Sequence, residues 1–176
     1  HSPPSDSLKY SIVIPAYNEP GLFDLINHIC GLPTGSYSAE ILAVVNWPVD
    51  ADPGVKEESR HTLRKIRETY GRQNENGTGV HCLVLEDLPV ALAGVGHARK
   101  TGMDEAVWRF NTLNRQDGII ISLDADCTTD PNLFTALDEH YDKYPDTAGC
   151  CHYFEHPLEG GEFEKKVYTA IAEYEL

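Results

Sequence analysis

The chain has 176 residues, 41% hydrophobic and 24% charged, a composition that excludes a disordered chain and suffices for one domain with a real core. Fourteen basic residues against twenty-eight acidic ones give a net charge of −14. That excludes a nucleic-acid binder, which needs a basic face to replace counterions, and it repels an anionic membrane surface. No apolar run approaches the ~20 residues of a spanning helix, so no transmembrane segment is expected.

Residues 1–8 read as an appended remnant or a loose tail, and 9–176 as one domain. Five short apolar runs predict strands: Tyr10–Pro15, Glu40–Asn46, Val80–Glu86, Gly118–Leu123 and Thr147–Phe154. Their middles are apolar without alternation, as in strands of a parallel sheet covered on both faces. Helical spacing fills the gaps. Leu22, Leu25, Ile26 and Ile29 lie between Pro20 and Gly31; Leu63, Ile66 and Tyr70 mark a charged helix from about Val55 to Tyr70. Ala98, Gly102, Met103, Ala106 and Phe110 mark a third face, Leu133, Leu137 and Tyr141 a fourth after Pro131, and Glu162 to Leu176 a last helix without a stop signal. The abrupt end reads as a fragment of something longer. The loops Trp47–Gly54 and Gly71–Gly79 are expected to be exposed, and no linker splits off a second domain. Alternating β and α elements predict an α/β sandwich with right-handed crossovers.

The cysteines are Cys30, Cys82, Cys127, Cys150 and Cys151, an odd number without a CxxC pair. Most lie in apolar stretches, where cysteine acts as a small hydrophobe, which points to a reducing, cytoplasmic compartment. No zinc spacing joins them to the scattered histidines.

In an open α/β sheet, ligands bind beyond the carboxyl ends of the strands. Those positions carry Ala16-Tyr17-Asn18-Glu19, Asn46, Glu86-Asp87 and Asp124-Ala125-Asp126. The last follows the apolar strand directly. Carboxylates at i and i+2 of an extended chain share a face and can close on one hard cation such as Mg²⁺ or Mn²⁺. An EF-hand loop fails, because Thr129 and Thr135 stand where Gly and Glu are needed. Asp124, Asp126 and Thr128 also match the start of a haloacid dehalogenase-type phosphatase, with Asp124 as nucleophile. Only about fifty residues follow, too few for the rest of that site. The glycines around Gly94-Val95-Gly96 open a helix that attracts phosphate. Arg99 occupies the place of a third fingerprint glycine, which excludes a dinucleotide motif and leaves Arg99 for a phosphate or base contact.

Together Ser11–Glu19, Glu40–Asn46, Gly94–Gly102 and Asp124-Ala125-Asp126 resemble, in order and spacing, the family 2 glycosyltransferases of the GT-A fold. The resemblance implies a three-layer sandwich around a mostly parallel, Rossmann-like nucleotide-binding sheet. It implies transfer of a sugar, with inversion, from a UDP- or GDP-linked donor to a sugar, lipid-linked or other hydroxyl acceptor. By the same resemblance Pro15, Ala16, Tyr17 and Glu19 line the nucleoside pocket and Asn46 stands where the family reads the base. Arg99 lies against the nucleotide, Asp124 and Ala125 lie on the ribose and sugar side, and Asp126, with Asp124, holds Mg²⁺ or Mn²⁺. The general base falls beyond Leu176, and a longer parent works in the cytoplasm or at the cytoplasmic face of a membrane. Val45-Asn46-Trp47-Pro48 replaces the family's Asp-Asp-Gly-Ser, and Lys100 stands where Asn is common. A nucleotidyltransferase of similar architecture and a non-catalytic nucleotide-binding module remain alternatives.

Overall fold

The computed structural model describes residues 2–71, 78–156 and 164–174. Two compact units are present, His1–Glu139 and His140–Leu176. The first contains β1 (Leu8–Ala16), α1 (Leu22–Cys30), β2 (Ser38–Pro48), α2 (Pro53–Tyr70), β3 (Thr78–Leu88), α3 (Val95–Thr112) and β4 (Ile119–Ser122). Helix α4 (Leu133–Lys143) crosses the division and α5 (Lys165–Tyr174) belongs to the second unit.

The four strands form one sheet in the order β3-β2-β1-β4, and every pairing is parallel. β1 and β2 are the central pair. Ile12, Val13 and Ile14 on β1 and Ile41 through Val44 on β2 are fully buried, as unalternating apolar runs require. The chain runs outward from β1 through β2 to β3 and then returns to β4 on β1's other side. The strand order thus reverses between β1 and β4, and a crevice at the carboxyl ends of these two strands is the place where such a sheet takes ligands.

Helix α1 buries Leu22, Leu25, Ile26, Ile29 and Cys30. Helix α2 starts on an Asp52 cap, whose carboxylate accepts from Gly54 N at 2.7 Å, with Pro53 opening the helix. Helix α3 lies tightly on β1 and β2. A Cβ on Gly102 would overlap Val13 and come within 2.9 Å of Val44 Cγ2. Val13, Leu42 and Ala106 form the core there, with Leu83, Met103 and Ile120 packed around them.

Four expectations are corrected. The run at 147–154 forms no strand: among the described residues the sheet ends at β4, and residues 148–156 are exposed and pair with no strand. Trp47 is no exposed loop residue but a fully buried member of β2, and Thr78, at the far end of the other expected loop, is buried in β3. Residues 72–77 of that loop lie outside the described residues. Cys127, Cys150 and Cys151 are exposed; only Cys30 is buried and Cys82 half-buried. Residues 2–7 are tied down: Ser2 O accepts from Arg109, Ser7 O from Ser38 N at 3.0 Å, and β1 begins at Leu8. In the second unit α5 buries no side chain.

Candidate functional site at the β1–β4 crevice

β1 delivers Pro15 and Ala16 buried, then Tyr17, 44% exposed, and a half-buried Glu19. Asn18 turns the chain with φ of 52°, a left-handed conformation that asparagine tolerates better than most residues. Glu19 O then accepts from Leu22 N at 3.3 Å as α1 begins.

On the neighbouring strand, Leu123 N still donates to Val13 O at 3.1 Å. The chain then folds into a turn closed by Cys127 N to Asp124 O at 3.2 Å. Asp124 and Asp126 are therefore presented by a turn, not by an extended strand end, with Ala125 tucked underneath at 5% exposure. The turn touches the start of α1: a Cβ on Gly21 would meet the Ala125 carbonyl at 4.0 Å.

The two loops bring Glu19 within electrostatic reach of Asp126 and Asp124. Glu19 has its carboxyl raised above the ordinary value, first by burial, then by the negative charges of Asp126 and Asp124. Arg99, in the first turns of α3, closes the other side: its Nη2 donates to Asp124 Oδ1. Three acids against one guanidinium leave the crevice electronegative. Cys127 borders it, its thiol raised by burial and by the same two aspartates.

The other expected strand-end residues are placed differently. Asn46 is 1% exposed. Its Nδ2 donates to Ala16 O at 3.2 Å and its Oδ1 accepts from Gly94 N at 3.1 Å. It thus links the exit of β1 to the entry of α3, at a glycine whose φ of 140° other residues rarely adopt. Glu86 and Asp87 pair with α2: Arg60 reaches Glu86 at 3.2 Å and Lys56 reaches Asp87 at 2.7 Å. The Lys56 hydrogen bond chiefly holds Asp87 below the usual carboxylate range. These two acids stay outside the cluster formed by Glu19, Asp124 and Asp126.

Among the described residues no three His, Cys, Asp or Glu side chains are grouped as a ready-made metal set. The oxygen-only donors and net negative charge fit a hard cation of the Mg²⁺ type, which takes one or two carboxylates and completes its shell with phosphates and water. Asp126 is the carboxylate of the turn with no ion pair to Arg99, so it suits that role.

Sequence reasoning missed a second charged cluster, nearer the amino ends of the strands. Arg109 is 1% exposed. Its Nε donates to Glu40 Oε2 at 2.8 Å and its Nη2 meets His81 Nε2 at 3.0 Å; Ser11 Oγ donates to Glu40 Oε1 at 3.2 Å. A guanidinium can only donate, so His81 Nε2 is the acceptor and the ring is neutral with its proton on Nδ1. Burial first, and then Arg109, lower His81 to about 4. The signal was available: Arg109 falls on the same helical stripe as Ala98, Gly102 and Ala106.

No family model matches the chain, and no curated protein matches it. Solved structures do match, and they place the fold in the α/β class of Rossmann-like, GT-A-type glycosyltransferase folds. One is S. aureus TarS 1–349 in complex with UDP-GlcNAc, at a TM-score of 0.50 and 16% identity, covering 78% of this chain and 32% of that one. The other is TarS 1–349 without that ligand in its description, at a TM-score of 0.50 and 14% identity, covering 86% of this chain and 42% of that one. The chain thus spans less than half the length of these two structures, and at such identities the likeness speaks to the fold alone.

Proposed function

We propose that the β1–β4 crevice binds a nucleoside diphosphate sugar, UDP- or GDP-linked, and that this chain is the donor-binding part of an inverting, metal-dependent glycosyltransferase of the family 2 type. The observation that carries the reading is the convergence of Glu19, Asp124 and Asp126, with Arg99 across from them, at the switch point of a parallel sheet. The fold shared with a protein solved with UDP-GlcNAc supports it.

In this reading the exposed ring of Tyr17 takes the base, and Pro15 and Ala16 form the floor of the nucleoside pocket. Asn46 acts from beneath by holding Ala16 and Gly94 in place. Asp126, with Asp124 beside it, holds Mg²⁺ or Mn²⁺, which offsets the charge of the departing diphosphate. Asp124, held by Arg99, accepts from a sugar or ribose hydroxyl, and Ala125 keeps the turn low enough for the donor to lie across it. The acceptor's proton requires a general base, which no residue described here supplies.

Thermal unfolding with UDP or GDP and Mn²⁺ tests the proposal. A ligand specific to the folded state at a hundred times its dissociation constant adds about 2.7 kcal/mol. Stabilisation is expected with one nucleotide plus Mn²⁺, strongly reduced by D126A. No shift with either nucleotide and the metal, or hydrolysis of a phosphomonoester that D124N abolishes, overturns it.

A further inference from the structure

The loop that carries the crevice's aspartates meets helix α1 at two places. At the start of the helix, a Cβ on Gly21 would meet the Ala125 carbonyl at 4.0 Å. In its last turn stands His28, whose Nε2 lies 2.8 Å from Thr129 O, across 101 positions of sequence. A carbonyl oxygen can only accept, so the ring donates from Nε2, and it can do so in its neutral or its protonated form. From Gly21 to His28 the chain covers about 10 Å along the helix axis. The stretch from Ala125 to Thr129 is thus held at both ends, and Asp126 lies between the two holds.

The remaining hydrogen bonds of this region act on other atoms. Cys127 N closes the turn on Asp124 O at 3.2 Å, and beyond Thr129 Leu133 N donates to Asp130 O at 3.2 Å, where α4 begins. Arg99 takes the Asp124 carboxylate. The Thr129 hydroxyl is buried and has no hydrogen-bond partner among the described residues, so its side chain adds no second tether. His28 is exposed, while Leu22, Leu25, Ile26, Ile29 and Cys30 supply the buried face of α1. The helix therefore packs without this imidazole, which leaves the contact with Thr129 as its visible task.

We propose that His28 is a positioning residue of the crevice: by holding the Thr129 carbonyl it fixes the turn that presents Asp126. The proposal rests on the reading of the crevice as a site for a nucleoside diphosphate and a divalent cation. Groups that orient a metal's carboxylate set its affinity although they never touch the ion.

The test compares wild type, H28A and H28Q as full chains. Alanine is the better helix former and His28 is exposed, so H28A keeps α1. Glutamine carries an amide nitrogen near the place of Nε2 and can donate the same bond. Titration of Mn²⁺ in the presence of UDP or GDP should show affinity about three- to tenfold weaker in H28A, the worth of one such hydrogen bond, and restored in H28Q. Without any ligand, exchange of the Cys127 amide hydrogen, which closes the turn, should be faster in H28A and return to the wild-type rate in H28Q. Wild-type affinity in H28A, a loss that glutamine does not restore, or an unchanged Cys127 exchange rate each overturns the role of His28 and leaves the reading of the crevice standing. A wild-type chain that binds neither nucleotide with Mn²⁺ overturns that reading, and the role of His28 falls with it.

Discussion

Arg109, 1% exposed, places all of its donor nitrogens on protein acceptors, on Glu40, His81 and Ser2. Removing one partner of such a pair strands the other as a buried charge, at a cost of about 3–5 kcal/mol. R109M should therefore lower unfolding stability by that order in urea titration, and E40M/R109M should recover most of the loss; a double variant no better than the single would disprove the coupling. The position of Arg109 on the buried stripe was legible in the sequence, but its partners Glu40, His81 and Ser2 were not, because they lie on other elements. Glu19 is a similar case. Its place after the first strand was legible, and the structure adds that burial and the two aspartates raise its carboxyl. A cation bound beside it stabilises the ionised form, so metal binding should release a proton. Release should grow as the pH falls into the acidic range in which carboxyl groups take up protons. Calorimetry of Mn²⁺ with UDP in two buffers of different ionisation heat measures it, and E19Q should abolish it.

Helix α3 shows how element packing overrides propensity. Alanine is the better helix former by about 0.8–1.0 kcal/mol, so G102A in an exposed helix would stabilise. Here the added methyl meets Val13 and Val44 on the two central strands, and overpacking of that kind costs about 1–3 kcal/mol. G102A should lower the unfolding midpoint; a raised midpoint would mean that α3 sits further from the sheet. The apolar runs revealed β1 through β4 because β1 and β2 are buried almost throughout and β3 and β4 flank them, half-buried, in one parallel ladder. The run at 147–154 has a similar composition but pairs with no strand among the described residues, and residues 148–156 stand exposed. A strand is a property of two segments, and a single-segment reading cannot see the absent partner. The Asp124–Cys127 turn was hidden for a related reason: its closing hydrogen bond is main chain to main chain, while the carboxylates that mark the site were plain.

At the scale of the folded unit, the buried charge cluster ties stability to pH. His81 titrates near 6.5 when unfolded and is lowered to about 4 in the fold, so between those values the unfolded chain binds the proton and the folded chain does not. Stability from this group is complete above the unfolded value, falls as pH drops through it, and levels off below about 4. The full span amounts to about 3 kcal/mol, with about 2 kcal/mol lost between about pH 7 and about pH 5. Glu40 works against this trend, since burial raises its carboxyl despite Arg109 and the folded state then holds its proton more readily as pH falls. Asp87, held low by Lys56, works with it, its contribution being lost as acid protonates it. The raw pH profile therefore mixes several groups, and the comparison with H81Q isolates one. Glutamine can still accept from Arg109 through its carbonyl, so H81Q should stay folded at neutral pH. Its stability, followed by urea unfolding, should fall less steeply than wild type over that range. Equal slopes would mean that His81 is solvated in solution and that the cluster opens to water.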